Sequence, residues 1–214
     1  MNLTDIADLC RQRLQLTSAA RERALPTSRR SIRVSANAIR AVHRGEWDLA
    51  HRLMDESRAA LDEGEAATRA EHPNVFFAGS HQDAEKEYAE ARLTEALVRG
   101  AELPGPDELR VGVAPYLNGM AEAIGEARRA ILDLLRRGEV TEAERLLAAM
   151  EDLYYILVSI DFPDAITGNL RRSTDVSRSL LEKTRGDLSL SLVQRDLKEA
   201  LERHASRLDP PVVS

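Results

Sequence analysis

The sequence lacks the features that mark secreted, membrane and zinc-binding proteins. Its 214 residues contain one cysteine, Cys10, so an internal disulfide is excluded and a reducing cytoplasm is the expected location. No apolar run approaches the length of a membrane span, and the N-terminus has neither a basic leader nor an apolar segment, so we expect no membrane insertion or secretion. The histidines are scattered and have no cysteine partners, which disfavours a zinc site. No nucleophile elbow, phosphate-binding glycine loop or Walker-type lysine is present.

Glycine, proline and aromatic residues are also scarce. Aromatics make up 4% of the chain and charged residues 31%, a composition typical of helical proteins. No segment alternates at period two, and Arg-Gly pairs at 44–45, 99–100, 137–138 and 185–186 follow periodic apolar stretches, as helix ends do. Capping boxes at Ser80 and Thr141 predict helix starts.

We therefore predict an all-α, single-domain helical bundle of seven or eight helices over residues 1–214, with an irregular tail from about 208. The first two helices form a single long helix bent at Pro26 in an alternative version of this prediction. Residues 44–53 and 137–146 share six of ten positions, which favours two similar helix–turn–helix corners over a solenoid repeat. The predicted helices cover residues 4–24, 27–44, 47–70, 81–99, 107–137, 141–160, 165–184 and 187–207.

Positive charge is concentrated near the N-terminus. The net charge is −6, yet residues 11–44 contain nine arginines and one acid, so this segment carries +8 and the remainder −14. Such a split is typical of a protein that meets a polyanion on one face. On an ideal helix four of these arginines fall within about 60° of arc, which suits sequence-blind phosphate contacts. The alternative is a stripe that pairs with the chain's own acids, within one subunit or across an interface. The stripe consists of Arg29, Arg33, Arg40 and Arg44.

Four glutamates offer the strongest candidate for chemistry. Glu87 and Glu90 are spaced i, i+3, and Glu122 and Glu126 are spaced i, i+4, so each pair lies on one face of its predicted helix. If these helices pack together, the four carboxylates present oxygen ligands suited to Mg²⁺ or Mn²⁺. Nearby alanines and Gly125 permit a close approach. The alternative is a solvated acidic face, because a chain with 36 acids contains many such pairs.

Three segments resemble the translin/Trax family, in its archaeal Trax-like branch. Residues 31–45 (SIRVSANAIRAVHRG) resemble the family's arginine-rich first helix and its corner. Residues 86–91 (KEYAEA) and 116–129 (YLNGMAEAIGEARR) resemble its two acid-bearing motifs, in the family's order and spacing. The C-terminal third matches only in helical pattern.

The resemblance implies a fold and an activity. Family members are all-α subunits of hollow oligomers, commonly octamers, that hold nucleic acid inside. Trax-type subunits are metal-dependent endoribonucleases acting on single-stranded RNA, whereas translin-type subunits mainly bind RNA or single-stranded DNA. Glu87 and Glu90 match the family's paired glutamates, Glu126 matches its fourth acid, and Glu122 stands where Trax usually has Asp.

We therefore expect a homo-oligomeric, Mg²⁺- or Mn²⁺-dependent endoribonuclease. Its catalytic and metal-binding residues would be these four glutamates, and the arginine stripe would bind the nucleic acid. A non-catalytic, translin-like protein that binds RNA or single-stranded DNA is the alternative. A purely structural scaffold would have no affinity for nucleic acid.

Overall fold

The structure, a computed structural model, describes residues 2–77 and 79–208. Every regular element in these ranges is an α-helix, which confirms the predicted fold class. Three of these helices are single turns of four residues that link longer ones. The nine helices of the described ranges are α1 (Leu3–His43), α2 (Trp47–Thr68), α3 (Pro73–Phe76), α4 (Ser80–Arg99), α5 (Pro106–Leu109), α6 (Val113–Arg137), α7 (Val140–Ser159), α8 (Asp164–Thr167) and α9 (Leu170–Leu208).

Two predicted breaks lie inside continuous helices. Pro26 is an interior residue of α1, so the version with one long first helix is correct. The hydroxyl of Thr27 donates to the Ala24 carbonyl at 2.7 Å, and the half of α1 that follows is anchored by packing on α2 and α4. Gly186 does not end a helix either, and α9 continues to Leu208. Buried Leu181 and Leu188 hold the segment on either side of this glycine against the core.

Other predicted boundaries are corrected as well. The predicted helix 107–137 is divided into α5 and α6, because Arg110 has a left-handed backbone conformation. The capping boxes at Ser80 and Thr141 are wrong, since Gly79 and Glu139 precede the helices and neither gives a side-chain cap. The predicted irregular tail beyond residue 208 lies outside the described residues.

The two echoing segments form matching corners, as predicted. Gly45 and Gly138 have φ angles of 71° and 77°, and the glutamate that follows each precedes the next helix. In both corners that glutamate pairs with the arginine before the glycine, over 2.6 Å at Glu46 and 2.5 Å at Glu139. The left-handed conformation reverses the chain within two residues, so α1–α2 and α6–α7 become neighbouring helix pairs.

Helix α6 is central to the packing, with α4, α7 and α9 around it. One hydrophobic cluster takes residues from all six long helices, including Met54, Leu93, Ile124 and Leu157. Helices α4 and α6 approach each other closely at Gly119, where an added Cβ would lie 2.7 Å from the Lys86 carbonyl oxygen. This contact sets the separation of the two helices that carry the four glutamates. None of the described helices combines the length and apolar character needed to cross a membrane.

Candidate metal centre and nucleic-acid interface

Three of the four predicted carboxylates converge between α4 and α6. One carboxylate oxygen from each of Glu87, Glu90 and Glu122 lies within 4.8 Å of the others. The i, i+3 spacing places Glu87 and Glu90 on the face of α4 that meets α6. Glu122 is one turn beyond Gly119, where the backbones of α4 and α6 are close together. The arrangement gathers oxygen donors around one point.

Glu90 occupies the most unfavourable position for a charge in this group. The residue is 8% exposed and forms no ion pair with the described part of the chain. Burial, reinforced by the negative charges of Glu122, Glu87 and Glu126, raises the pKa of Glu90 to about 9. Burial also raises the pKa of Glu87. Carboxyl groups with such pKa shifts in a shared cluster are typical of functional sites.

Lys86 supplies a positive charge to this cluster. Its Nζ donates to Glu122 Oε1 at 2.6 Å and lies 3.5 Å from Glu87 Oε1. Burial by itself would lower the pKa of Lys86, but the hydrogen bond and charge of Glu122 and the charge of Glu87 outweigh it, and the pKa is raised. The ammonium therefore stays charged and partly neutralises two of the three carboxylates.

The fourth glutamate, Glu126, is bound from a different helix. His43, at the end of α1, places Nε2 2.5 Å from Glu126 Oε2, and its side chain is 5% exposed. An ionised carboxylate only accepts hydrogen bonds, so Nε2 carries the donated proton. This hydrogen bond lowers the pKa of Glu126 and keeps the carboxylate charged. Glu126 thus lies beside the three-carboxylate group, close enough to affect Glu90, without being part of it.

The arginine stripe lies on the surface of α1. All four guanidinium-bearing residues are exposed, while Ile39 and Val42 are buried on the opposite side, as the helical spacing predicts. Arg40 donates to the Asn37 side chain, and Arg44 pairs with Glu46. Arg29 and Arg33 form no ion pair within the described ranges. The stripe therefore has unneutralised charge at its N-terminal end.

Sequence reasoning missed three residues of this site. Lys86 and His43 both fall within the family-like motifs, but neither was assigned a role. The partners of both are distant in sequence: Glu122 is 36 residues from Lys86, and Glu126 is 83 residues from His43. Gly119 was missed because its function depends on the backbone of α4. Their positions could have indicated them. Lys86 and His43 each directly precede a predicted site residue, and Gly119 lies one turn before Glu122.

The fold and site define an all-α protein with a carboxylate cluster between two central helices and an exposed basic stripe. No family model matches the chain. It is similar to the uncharacterized protein MJ0175 of Methanocaldococcus jannaschii, with 32% identity over 189 residues, covering 86% of this chain and 82% of that protein.

The chain is also similar to solved structures. The chain is 33% identical to the AfC3PO chain solved as a complex with duplex RNA, with a TM-score of 0.82 and coverage of 88% of this chain and 97% of that one. The AfC3PO crystal structure gives 34% identity, a TM-score of 0.81 and coverage of 88% and 98%. Apo-NeC3PO, at 20% identity with a TM-score of 0.77 and coverage of 89% and 99%, shares the fold. C3PO is the translin/Trax complex, and this chain belongs to the translin/Trax family.

Proposed function

We propose that the protein is a metal-dependent endoribonuclease that cleaves single-stranded RNA inside a hollow homo-oligomer. The observation that carries this proposal is the convergence of Glu87, Glu90 and Glu122 on one point. The family membership supports it, because the resemblance assigns the nuclease role to these positions. The AfC3PO complex with duplex RNA supports RNA as the ligand class. Single-stranded DNA is a further ligand under this proposal.

The residues present fit Mg²⁺ or Mn²⁺. The converging donors are all carboxylate oxygens, the ligand type that these hard cations prefer. Glu90 is buried without an ion-pair partner among the described residues, so a cation would favour its ionised form and displace its proton. When bound, such an ion polarises a phosphate and lowers the pKa of a coordinated water.

We also assign roles to His43, to Glu126 and to the arginine stripe. His43 orients Glu126 and keeps it ionised, and an ionised carboxylate accepts a proton from an attacking water. In hydrolysis the water oxygen forms a bond to phosphorus while its proton passes to Glu126, and the bond to one ribose oxygen breaks. The departing oxygen takes up a proton from solvent, and Glu126 returns its proton to solvent. The stripe of Arg29, Arg33, Arg40 and Arg44 binds flanking phosphates without reading bases.

We propose a homo-oligomer because the exposed surface is large and partly apolar. The chain exposes 12995 Å². A compact monomer of its mass would expose about 9,900 Å². Residues 193–206 of α9 are all exposed, and the N-terminal half of α1 is nearly so. Both segments carry exposed leucines, which favours burial against other copies of the chain.

Cleavage of a short fluorescent single-stranded RNA in Mn²⁺ tests the proposal. We expect the wild type to cut it, and the Glu122→Ala/Glu126→Ala variant to be at least about 100-fold slower. Asp55→Ala/Glu56→Ala is the matched control, because it removes the same charge from exposed positions of α2. Equal rates for wild type and the Glu122/Glu126 variant would contradict the assignment.

A non-catalytic RNA- or single-stranded-DNA-binding protein is the second candidate. The position of Lys86 favours it, since the ammonium already neutralises part of the cluster without a metal. This candidate predicts filter binding of RNA that is unchanged by EDTA, with no product after hours in Mn²⁺. Loss of binding in EDTA, or any product removed by the Glu122→Ala/Glu126→Ala change, would exclude it.

A further inference from the structure

A cavity of about 370 Å³ opens between α6 and α9 beside the carboxylate cluster. Glu90 and Glu122 lie at one end of it, and its walls are apolar, formed by Ala121, Gly125, Val176 and Leu180. Its volume is within the range of small-ligand sites. The cavity is therefore continuous with the proposed reaction centre and offers a surface of a different chemical kind.

Arg172 stands at the rim of this cavity. It is exposed and forms no hydrogen bond or ion pair with the residues that the structure describes. Its neighbour Arg171 differs, since it pairs with Asp161 at 3.5 Å and lines another cavity. An unneutralised guanidinium is suited to bidentate binding of a phosphate.

A second cavity, of about 240 Å³, lies on the other side of Glu122. It is polar, with Gln82, Asp83 and Lys86 among its lining residues. Glu122 and Ser173 line both cavities, so the glutamate separates them. A nucleotide chain that crosses the carboxylates would place a nucleoside on each side of Glu122.

We propose that the apolar cavity is a nucleoside subsite and that Arg172 binds the outer phosphate of the nucleotide in it. The inference rests on the proposed function, because its occupant is a nucleotide next to the scissile phosphate of single-stranded RNA. The walls present aliphatic carbons to the base, so the subsite holds its occupant without reading the base edge. The positive charge of Arg172 complements the phosphate. Glu90 and Glu122, which line this cavity and also belong to the carboxylate cluster, place the nucleotide next to the reaction centre.

Two arginine variants test the role of Arg172. We expect Arg172→Ala to raise the KM for fluorescent single-stranded RNA about tenfold with kcat changed by less than about threefold, since a contact to a phosphate other than the scissile one contributes mainly to binding. Arg171→Ala, one residue away on the same helix, is the control and should change KM by less than about twofold. Mn²⁺ binding should be unchanged in both. Equal KM values for the two variants would overturn the inference.

A cavity-filling variant tests the apolar walls. Gly125→Leu places a side chain toward Leu180, which would lie 3.7 Å from an added Cβ. We expect this variant to raise KM as Arg172→Ala does while keeping its helical circular dichroism and Mn²⁺ binding. Gly125→Ala controls for folding. If Gly125→Leu folds and retains the wild-type KM, the cavity is not a subsite.

The test separates this inference from the proposed function. Cleavage by the wild type decides the proposed function, whereas the comparison of Arg172→Ala with Arg171→Ala decides the subsite. If the wild type does not cut RNA, fluorescence anisotropy of the same RNA in EDTA replaces KM. A selective loss of affinity in Arg172→Ala supports the subsite, and equal affinities, or no binding by the wild type, overturn it.

Discussion

At the scale of single residues, Glu90 combines burial with three like-charged neighbours. Its pKa of about 9 lies far above the ordinary value of 4.5. Between these two values the folded protein keeps a proton that the unfolded chain has released. The unfolded state then binds fewer protons, so the contribution of Glu90 to stability falls as pH rises through this window.

We expect Glu90→Gln to remove this dependence. In EDTA, the thermal midpoint of the wild type should fall more steeply between pH 5 and pH 9 than that of Glu90→Gln, since the amide stays neutral throughout. Differential scanning calorimetry on a pH series gives both curves. Glu56→Gln is the control, as Glu56 is exposed on α2. Parallel curves for wild type and Glu90→Gln would show that Glu90 does not titrate in this window.

The helical spacing of the acids predicts their faces but not their partners. The i, i+3 and i, i+4 rules correctly place each glutamate pair on one side of its helix. Which of 36 acids meet is decided by tertiary packing. The same limit applies to His43 and Lys86, whose roles arise from residues 83 and 36 positions away. Motif resemblance singled out the three glutamates that meet, together with Glu126, which pairs with His43 instead.

At the scale of elements, the crossing of α4 and α6 determines the site. An added Cβ at Gly119 would lie 2.7 Å from a backbone oxygen and 3.0 Å from a backbone nitrogen of α4. Backbone atoms cannot rotate away, so the helices must separate. Gly125 is on the same helix, yet its added Cβ would meet Leu180 at an ordinary 3.7 Å.

We expect Gly119→Ala to lower the thermal midpoint by about 5 °C and to weaken Mn²⁺ binding, because it overpacks the crossing and moves Glu90 away from Glu122. Gly125→Ala should leave the midpoint unchanged or raise it by up to about 3 °C, owing to the helix propensity of alanine. Calorimetry and Mn²⁺ titration of both variants provide the comparison. Equal destabilisation by the two changes would show that the crossing tolerates a methyl group.

A predicted helix boundary is correct where the local turn conformation decides it and wrong where tertiary packing decides it. Arg-Gly signals at residues 44–45, 99–100 and 137–138 are correct, because each glycine has a left-handed backbone. The signal at 185–186 is wrong, since buried Leu181 and Leu188 and the Arg128–Asp187 ion pair stabilise the continuous helix α9 on either side of it. The predicted break at Pro26 is wrong for the same reason, because α1 packs on α2 and α4. A turn signal in the sequence is therefore overridden where buried residues on both sides of it continue the same helix.

At the scale of the whole molecule, charge and surface point to assembly. Isolated chains would leave the +8 segment open to any polyanion. A closed shell would place the basic stripe and the glutamates inside, and the acidic remainder outside. The exposed leucines of α9 and of the N-terminal half of α1 provide apolar surface for the contacts.

We expect a mass in solution of at least four chains at physiological salt, with eight implied by the family resemblance. Arg33→Ala/Arg40→Ala should keep that mass and flatten the slope of log K for RNA against log salt by roughly two units. Size-exclusion chromatography with light scattering and binding titrations measure the two quantities. A smaller mass with an unchanged slope would assign the stripe to an interface, and a wild-type monomer would contradict the shell.

The proposed function depends most directly on the binding of a divalent cation by Glu87, Glu90 and Glu122. Electron paramagnetic resonance measures free Mn²⁺, so the number of bound ions follows by difference from the total and does not depend on substrate. We expect at least one Mn²⁺ per chain in the wild type and in Asp55→Asn/Glu56→Gln, and an affinity at least about tenfold weaker in Glu87→Gln/Glu122→Gln. A wild type that binds no Mn²⁺, or a Glu87/Glu122 variant that binds it equally well, would contradict the account.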